Sequence, residues 1–290
     1  GGWSGERMLG ALSALKVDAR LVRLSECSLD LRTAVVRHAD NDLGQLDGLV
    51  VPKLGDPIDP LTPYRVNLLR ALESRGVRVF SPSRAIAEAN DRYRMTLRLA
   101  AVGIPIPDTV VTESIDEAAD LVDRWGSAVV KPLFTSKGRG MVLLSGDRAS
   151  RLGLKHWDMR EHVPFYVQRY VRASYDIGVA LLRNQVIGAF RRVSGGESWQ
   201  TTIRAGGRYE PFQPDSRTSE LAVAAAEQFG LDYTVVDMVQ HKDDWLVYEV
   251  SAFGGFSGLW AGGIDVASKY ANYVVAHMGL SARADHARTR

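Results

Sequence analysis

The stretch Tyr233-Thr-Val-Val-Asp-Met-Val-Gln-His-Lys-Asp-Asp-Trp-Leu-Val-Tyr-Glu-Val250 places one carboxylate in each of two apolar runs. A short polar segment separates the runs, which predicts a β-hairpin with Asp237 and Glu249 on neighbouring strands. A buried carboxylate is unfavourable unless it is paired or bound to a metal ion. Oxygen ligands on rigid strands, sharing the ion with phosphates, suit Mg²⁺. The alternative is a salt bridge from one carboxylate to an arginine, with the other carboxylate at a strand edge.

The residues that follow this hairpin are rich in glycine, in the segment Phe253-Gly-Gly-Phe-Ser-Gly-Leu259. Such an exit from a strand usually forms a tight turn, which is the simpler interpretation. Beside a pair of metal carboxylates, Gly254 and Gly255 would also let the backbone approach a substrate or a phosphate.

A basic loop lies farther upstream, Lys131-Pro-Leu-Phe-Thr-Ser-Lys-Gly-Arg-Gly140. Glycine lets backbone amides approach a phosphate closely, and the cationic side chains add positive charge. The loop joins two predicted strands and lacks the GxxxxGK[ST] pattern, so it is not a Walker loop. A polar hairpin is the alternative, but a lysine that ends the apolar run Ala128 to Val130 must face a cavity or a partner.

Two segments between the loop and the hairpin have weaker signals. Gln168-Arg-Tyr-Val171 ends a predicted strand, where main-chain groups could read the edge of an adenine; an ordinary strand is the alternative. Arg191-Arg192 ends another strand, and Arg204 follows the pair Thr201-Thr202. These arginines could bind a phosphate or a substrate carboxylate bidentately, or they could form a solvated edge.

Periodicity divides the chain into three regions. Residues 1–86 alternate strands and helices, with strands at 47–52 and 77–80 around a helix at 64–75, and this predicts a small parallel sheet. Residues 87–165 contain a helix at 91–102 and a second helix that begins with the capping box Ser114 and Glu117. Residues 166–290 predict strands with inserted helices, the last helix at 264–278. The expected fold is a parallel α/β domain followed by two mixed α+β subdomains.

Composition excludes several classes of protein. The 290 residues are 46% hydrophobic, which is ordinary for a folded globular chain and gives no sign of disorder. A formal net charge of +2 with scattered arginines does not favour nucleic acid as a partner. The single cysteine, Cys27, excludes an intrachain disulfide and a thiolate-rich zinc site. No apolar run approaches the roughly 18–20 residues that span a bilayer, and we expect a cytoplasmic protein that does not bind membranes.

The first residues, Gly1-Gly-Trp-Ser-Gly5, run directly into an amphipathic stretch from Arg7 to Leu15. A glycine-rich turn before a helix normally follows a strand, so we expect a natural first strand to precede this sequence. A vector-derived Gly-Gly is the alternative.

The order and spacing of these motifs resemble the ATP-grasp superfamily, in particular its RimK-like glutamate-ligase branch. The series runs Asn90-Asp-Arg, Gly103-Ile-Pro-Ile-Pro107, Val-Val-Lys131-Pro with the glycine loop, Val-Gln168-Arg-Tyr-Val, Gly206-Gly207, Val-Val-Asp237 and Tyr-Glu249-Val-Ser-Ala. The segment Glu249 to Phe256 is most similar to the GAK-system ATP-grasp enzymes. The resemblance covers nearly the whole chain and is strongest from Asn90 onward.

The resemblance implies an ATP-grasp fold with ATP held between the two α+β subdomains, and it assigns roles to the candidate residues. Nucleotide binding falls to Arg92, Lys131, Ser136, Lys137, Gly138, Arg139 and Gly140. Lys131 would contact the phosphates and the region of the adenine ring, and the loop from Thr135 to Gly140 would close over the triphosphate. The adenine site falls to Gln168, Arg169, Tyr170 and Val171, the ribose to Asp176, and catalysis at the transferred phosphate to Arg192 with Lys131. The Mg²⁺ ligands are Asp237, Glu249 and Ser251, and the substrate residues are Arg204, Gly254 and Gly255.

Four positions depart from the family pattern. Arg92 stands where lysine is common, and Gly178 stands where the family has arginine. Ser251 replaces an asparagine, and the asparagine before the Gly-Gly pair is replaced near Thr202. These departures affect substrate identity more than nucleotide binding, because Lys131, Asp237 and Glu249 are present.

The reaction that the resemblance implies is amide formation between a carboxylate and an amine through an acyl phosphate, with release of ADP and phosphate. The expected partners are a small-molecule or peptide carboxylate and an amine or amino acid, with ATP and Mg²⁺, in a homo-oligomer. Two alternatives stay open: an ATP-grasp kinase that phosphorylates a hydroxyl, and a weakly active Mg·ATP-binding regulatory protein.

Overall fold

The computed structural model describes residues 2–55, 61–133, 138–146, 153–154, 164–196 and 198–278. The helices of this part of the chain are α1 (Trp3–Ala14), α2 (Thr62–Ser74), α3 (Ser83–Asn90), α4 (Arg92–Ala101), α5 (Ile115–Trp125), α6 (Ser216–Glu227), α7 (Ser257–Ala261) and α8 (Val266–Met278). The strands are β1 (Cys27–Asp30), β2 (Val35–His38), β3 (Asn41–Asp42), β4 (Gly48–Val50), β5 (Arg78–Phe80), β6 (Thr109–Thr112), β7 (Ser127–Lys131), β8 (Val142–Ser145), β9 (Phe165–Arg169), β10 (Tyr175–Leu182), β11 (Gln185–Val193), β12 (Arg208–Phe212), β13 (Tyr233–His241) and β14 (Asp244–Ser251). None of the described helices is both long and apolar enough to cross a membrane.

The first part of the chain contains the predicted β–α–β unit. Strands β4 and β5 pair in parallel, and α2 connects them. The helix buries Val66, Leu69 and Leu72 against this pair and its surroundings, because their spacing puts them on one helical face. The small antiparallel sheet β1–β2–β3 was not predicted, since its strands are too short to show an alternating pattern.

The central sheet has the strand order β6-β9-β7-β8 and packs on α5. Ser114 caps α5 as predicted, accepting a hydrogen bond from the Glu117 backbone N–H at 3.2 Å. The reciprocal half of the capping box is not formed, because the Glu117 carboxylate binds the Thr112 hydroxyl instead. Strand β9 belongs to this sheet and pairs with β6 and β7. The predicted domain boundary between residues 165 and 166 therefore falls inside β9. The domain division itself stays a prediction.

The largest sheet has the order β12-β11-β10-β13-β14 and is covered on both faces. One face packs against α3, α4 and α6. The other face packs against α1, α7 and α8. Side chains alternate between these faces along each strand, and the second face carries the predicted site residues of β10, β11 and β13 at the end of the sheet where β10 begins.

Candidate active site

Asp237 and Glu249 lie directly opposite each other in the antiparallel pair β13–β14, as the hairpin pattern predicts. The register shifts immediately beside them, between Asp237 and Met238, and this marks a β-bulge in β14. Because of the extra residue, Val247 and Val250 both pack in the same core, although three positions separate them. The bulge therefore keeps Glu249 beside Asp237 and also directs Tyr248 toward the site.

The electrostatics of Asp237 favour a bound cation. Burial raises the pKa of Asp237 to about 7; the positive charge of Arg192 opposes this rise, while Glu249 and Asp176 add to it. Oδ1 of Asp237 lies 3.0 Å from Nη2 of Arg192. That contact is an ion pair without hydrogen-bond alignment, and Oδ1 is a buried oxygen that no group in the described part of the chain hydrogen-bonds.

These residues fit a divalent metal ion that shares its coordination with phosphates. Within the described ranges, no group of three His, Cys, Asp or Glu side chains is placed to bind a metal alone. Mg²⁺ commonly takes one or two carboxylates and fills its shell with phosphate oxygens and water. Ser251, the third predicted ligand, lies two residues after Glu249, and its hydroxyl accepts a hydrogen bond from the Phe253 backbone N–H at 3.3 Å.

Arg192 is held between two carboxylates from different strands. Its Nε donates a hydrogen bond to Asp176 Oδ1 at 2.6 Å, in addition to the ion pair with Asp237. Burial alone would lower the pKa of Arg192, but the carboxylates of Asp237 and Asp176 raise it above its ordinary value. The second oxygen of Asp176 accepts a hydrogen bond from Thr201 Oγ1 at 2.6 Å. In this structure Asp176 therefore orients Arg192, and its ribose contact stays a prediction.

Lys131 ends β7 and reaches into the same region. It is buried, and its Nζ donates a hydrogen bond to Gln168 Oε1 at 2.5 Å and lies 4.9 Å from the centroid of the Tyr248 ring. Burial, together with the nearby charge of Arg92, lowers the pKa of Lys131 to about 7, and the charge of Glu249 opposes part of this fall. A phosphate would supply the negative charge that this lysine needs to stay protonated.

Arg92 is the first residue of α4 and is also buried. Its guanidinium donates a hydrogen bond to the carbonyl oxygen of Pro132, directly after Lys131. The structure thus brings two cations, Arg92 and Lys131, to the start of the predicted phosphate loop.

The predicted adenine segment, residues 168–171, makes backbone hydrogen bonds within the protein. The N–H of Arg169 donates to the Asp108 carbonyl at 2.8 Å, and the N–H of Tyr170 donates to the Ser127 carbonyl at 3.2 Å. The Gln168 side chain binds Lys131, while the Arg169 side chain is exposed and pairs with Asp108. Val171 is buried at the end of this segment, and contact of the segment with a base stays a prediction.

Of the predicted phosphate loop, the structure describes residues 131–133 and 138–140; Ser136 and Lys137 lie outside the described residues. Gly138 and Gly140 have φ angles of +70° and +67°, which favour glycine. A Cβ on Gly138 would lie 2.8 Å from Oε1 of Gln200, so the loop reaches the residues before β12. Arg139 is half-buried between these glycines.

A strap formed by residues 198–202 contacts three parts of the candidate site. Trp199 packs edge-to-face on Tyr170 at 6.2 Å between ring centroids. Gln200 approaches Gly138, and Thr201 binds Asp176. Sequence reasoning considered the two threonines but missed Trp199 and also Tyr248. An aromatic residue directly beside Glu249 was the available signal for Tyr248.

The structure does not bring the three predicted substrate residues, Arg204, Gly254 and Gly255, to one place. A Cβ on Gly254 would lie 2.6 Å from Cγ2 of Val235, so only glycine fits there. Gly254 lines a cavity with Ser4, Ser81 and Tyr233, and Gly255 accepts a hydrogen bond from the Tyr233 hydroxyl at 3.5 Å. Arg204 lies exposed on a helical turn, and no described contact joins it to the carboxylates.

Comparison with known proteins agrees with this geometry. The model of the RimK-like ATP-grasp domain matches residues 89–274, more than half of the chain. The chain belongs to the RimK-like ATP-grasp family. It is 29% identical over 202 residues to the tetrahydromethanopterin:alpha-L-glutamate ligase of Methanocaldococcus jannaschii, a match that covers 68% of this chain and 69% of that relative.

Solved structures show the same fold. The RimK domain ATP-grasp protein of Sphaerobacter thermophilus superposes with a TM-score of 0.74 at 20% identity, covering 94% of this chain and 95% of that one. The ATP-grasp ligase PsnB, solved with a minimal precursor, gives a TM-score of 0.73 at 18% identity and covers 94% of both chains. PsnB has also been solved with Mg and ADP. The predicted family and ATP-grasp fold are confirmed.

Proposed function

We propose that this RimK-like ATP-grasp ligase joins a carboxylate to an amine through an acyl phosphate, with Mg²⁺ and ATP at the site around Asp237. The observation that carries the proposal is the partly buried cluster in which Asp237 and Glu249 face the cations Arg192 and Lys131. Opposed charges in a partly desolvated site are suited to a highly charged substrate such as Mg·ATP.

In the first step a carboxylate oxygen of the acid attacks the γ-phosphorus of ATP. The bond from the γ-phosphorus to the β–γ bridging oxygen breaks, and ADP leaves. Lys131 and Arg92 would hold the negative charge of the phosphates, and Arg192 would hold the transferred group. Asp237 and Glu249 would hold Mg²⁺, and the ion would supply positive charge against the charge that develops on the phosphate oxygens.

In the second step the amine nitrogen attacks the acyl carbon, and the carbon–oxygen bond to phosphate breaks. The nitrogen loses a proton, so the products are an amide, phosphate and a proton. Neither step needs a nucleophile from the protein, which agrees with the lack of a Ser-His-Asp or reactive-cysteine pattern in the sequence. Arg192 would stabilise the departing phosphate by the same contacts that it makes in the first step.

The inference about the acid and the amine rests on similar proteins and not on the geometry of the site. The similar enzyme of Methanocaldococcus jannaschii is named a tetrahydromethanopterin:alpha-L-glutamate ligase, and PsnB was also solved with a precursor peptide. We infer a small-molecule or peptide carboxylate as the acid and an amino acid as the amine.

A screen of candidate acids with Mg·ATP, each with and without a pool of amino acids, tests this proposal. ADP release would be measured together with product mass. We expect ADP release that depends on the amine and a product equal to acid plus amine minus water. A stable phosphorylated product without any amine requirement would instead identify a kinase, and Mg·ATP binding without turnover would identify a regulatory protein.

A further inference from the structure

Phe190 lies in β11 two residues before Arg192, so both side chains project from the same face of the sheet. Its register partner on β10 is Gly178, and the partner of Gly178 on β13 is Asp237. Phe190 is only 4% exposed. The ring therefore lies in the row of positions that leads to the proposed metal carboxylate.

Two glycines from separate elements make room for this ring. A Cβ on Gly178 would lie 2.4 Å from Cζ of Phe190, and a Cβ on Gly258, in α7, would lie 2.6 Å from its Cγ. Close-packed interiors do not tolerate such overlaps, so a side chain at either position would displace the ring. Tyr209 packs edge-to-face against it at 5.2 Å between centroids. The ring is clamped in one orientation.

The clamped ring is the third partner of the Arg192 guanidinium, whose Cζ lies 5.8 Å from the ring centroid. The other two partners are Asp176 and Asp237. A guanidinium within about 6 Å of an aromatic centroid is attracted by the ring quadrupole. Three strands, β10, β11 and β13, thus each supply one contact to the same cation.

We propose that Phe190 is a positioning residue for phosphoryl transfer, and that it acts by holding the Arg192 guanidinium between Asp176 and Asp237. The role of Arg192 at the transferred phosphate rests on the proposed function; the contact with the ring does not. Without the ring the guanidinium can tilt, because Gly178 has no side chain to limit it. Phosphoryl transfer should slow while ATP affinity, which depends on other residues, changes little.

A double-mutant cycle tests this proposal, using Phe190→Leu, Arg192→Lys and the double variant. In the otherwise wild-type enzyme, Phe190→Leu should lower kcat about tenfold and leave the KM for ATP within about twofold. In the Arg192→Lys background it should change kcat by less than about twofold, because residues that act through each other are not additive. Equal effects in both backgrounds, or an unchanged kcat in Phe190→Leu, would overturn the proposal.

Phe212→Leu is the matched control, since Phe212 lies in the same sheet but packs on Trp245 at 6.1 Å between centroids. It should leave kcat within about twofold of wild type. Phe190→Met removes the ring at similar volume and replaces Phe190→Leu if that variant does not fold. The same kinetic criteria apply to it.

A spectroscopic measurement separates this inference from the proposed function. The arginine Nε–H signals of the nucleotide-free protein are recorded by ¹⁵N–¹H NMR, and Arg192 is assigned by the signal lost in Arg192→Lys. We expect this signal to shift in Phe190→Leu but not in Phe212→Leu. If the Arg192 signal shifts but the protein has no ligase activity, the positioning role is supported and the proposed function is wrong. An unchanged Arg192 signal in Phe190→Leu would contradict the positioning role.

Discussion

At the scale of single residues, Lys131 and Asp237 share a property although their charges are opposite. Burial shifts the pKa of both side chains to about 7, downward for the lysine and upward for the carboxyl. In each case the charged form is disfavoured because it has left water without a sufficient partner. Mg·ATP would supply both missing partners, a cation for Asp237 and phosphates for Lys131, so its binding at these residues would relieve an unfavourable state of the free protein.

Lys131→Met should strongly lower activity and stabilise the nucleotide-free protein at neutral pH. The folded protein releases the lysine proton above about pH 7, whereas the unfolded chain keeps it to about 10.5. The unfolded state therefore binds more protons between these values, and wild-type stability rises with pH across this window. We expect Lys131→Met to be more stable by about 1–3 kcal/mol at pH 7. The difference should shrink toward pH 10, with kcat lower by about 10²–10³-fold.

Urea unfolding in the presence of a metal chelator, from pH 7 to pH 10, measures this difference. A gap between the two proteins that does not change with pH would show that Lys131 is not a desolvated cation.

Asp237→Asn should also stabilise the free protein and lower its activity. The pH dependence of the stability difference should be opposite to that of Lys131→Met. The folded protein holds the carboxyl proton up to about pH 7, and the unfolded chain loses it near 3.8. Between these values the folded state binds more protons, so stability falls as pH rises. The variant should lack this fall and gain about 1–2 kcal/mol at pH 8 without metal. Mg²⁺-dependent ADP release should drop at least about 10²-fold.

Asp243→Asn is the control, because Asp243 is exposed in the turn of the same hairpin. Thermal melts with a chelator and with Mg·ATP are the measurement. If Mg·ATP stabilises Asp237→Asn as much as wild type, Asp237 is not a metal ligand.

At the scale of elements, the hairpin β13–β14 and the strap at 198–202 position the site in different ways. The hairpin does so through local register, with the bulge that brings Tyr248 and Glu249 toward one side. The strap does so through tertiary contacts with the adenine segment, the phosphate loop and Asp176. An element tied to three parts of a binding site should affect ligand affinity more than the fold.

Trp199→Ala tests the strap. Loss of its contact with Tyr170 should raise the KM for ATP about five- to tenfold, because the strap loses its anchor on the adenine segment and about 1 kcal/mol of ring contact. The melting temperature of the nucleotide-free protein should fall by no more than a few degrees. Trp260→Ala is the control, since Trp260 packs on Trp3 and Arg7 and does not contact the strap. Equal KM values for both variants would contradict the assignment.

At the scale of the whole molecule, a buried carboxylate joins the parallel pair β4–β5 to the largest sheet. Asp232, just before β13, is fully buried and binds Nη2 of Arg78 in β5 through both oxygens at 3.1 Å. The hydroxyl of Tyr273 in α8 donates to it at 2.7 Å. The Asp232 N–H donates to Ser81 Oγ at 2.8 Å. The cavity beside Gly254 also lies between these units, so this network holds its walls together.

Asp232→Ala should destabilise the protein by about 3–5 kcal/mol, because it leaves Arg78 and Tyr273 without their partner. Asp244→Ala breaks an exposed ion pair with Arg217 and should cost less than about 1 kcal/mol. Denaturant unfolding of both variants gives the comparison. Similar small losses would mean that Asp232 is solvated or that another group compensates for it.

Local sequence determined most helices, most strands and the opposition of Asp237 to Glu249, whereas α3 and α7 were not predicted. A hairpin closes over a few residues, so its alternation and its polar turn specify the pairing without help from the rest of the chain. The order of the motifs likewise indicated the family and the ATP-grasp fold, and the ligase class follows at the level of the family. The assigned roles of individual residues stay predictions.

Only the tertiary structure decided how Arg192 is held and why Gly178 is a glycine. Asp176, Arg192 and Asp237 belong to three strands whose neighbours in the sheet are distant in sequence, and no local pattern specifies that register. The space above Gly178 is occupied by the ring of Phe190. The sequence by itself determined which chemical groups are present and which adjacent strands pair. Packing between distant segments decided which of these groups meet, because contacts across a sheet depend on burial of the whole face and not on neighbouring residues.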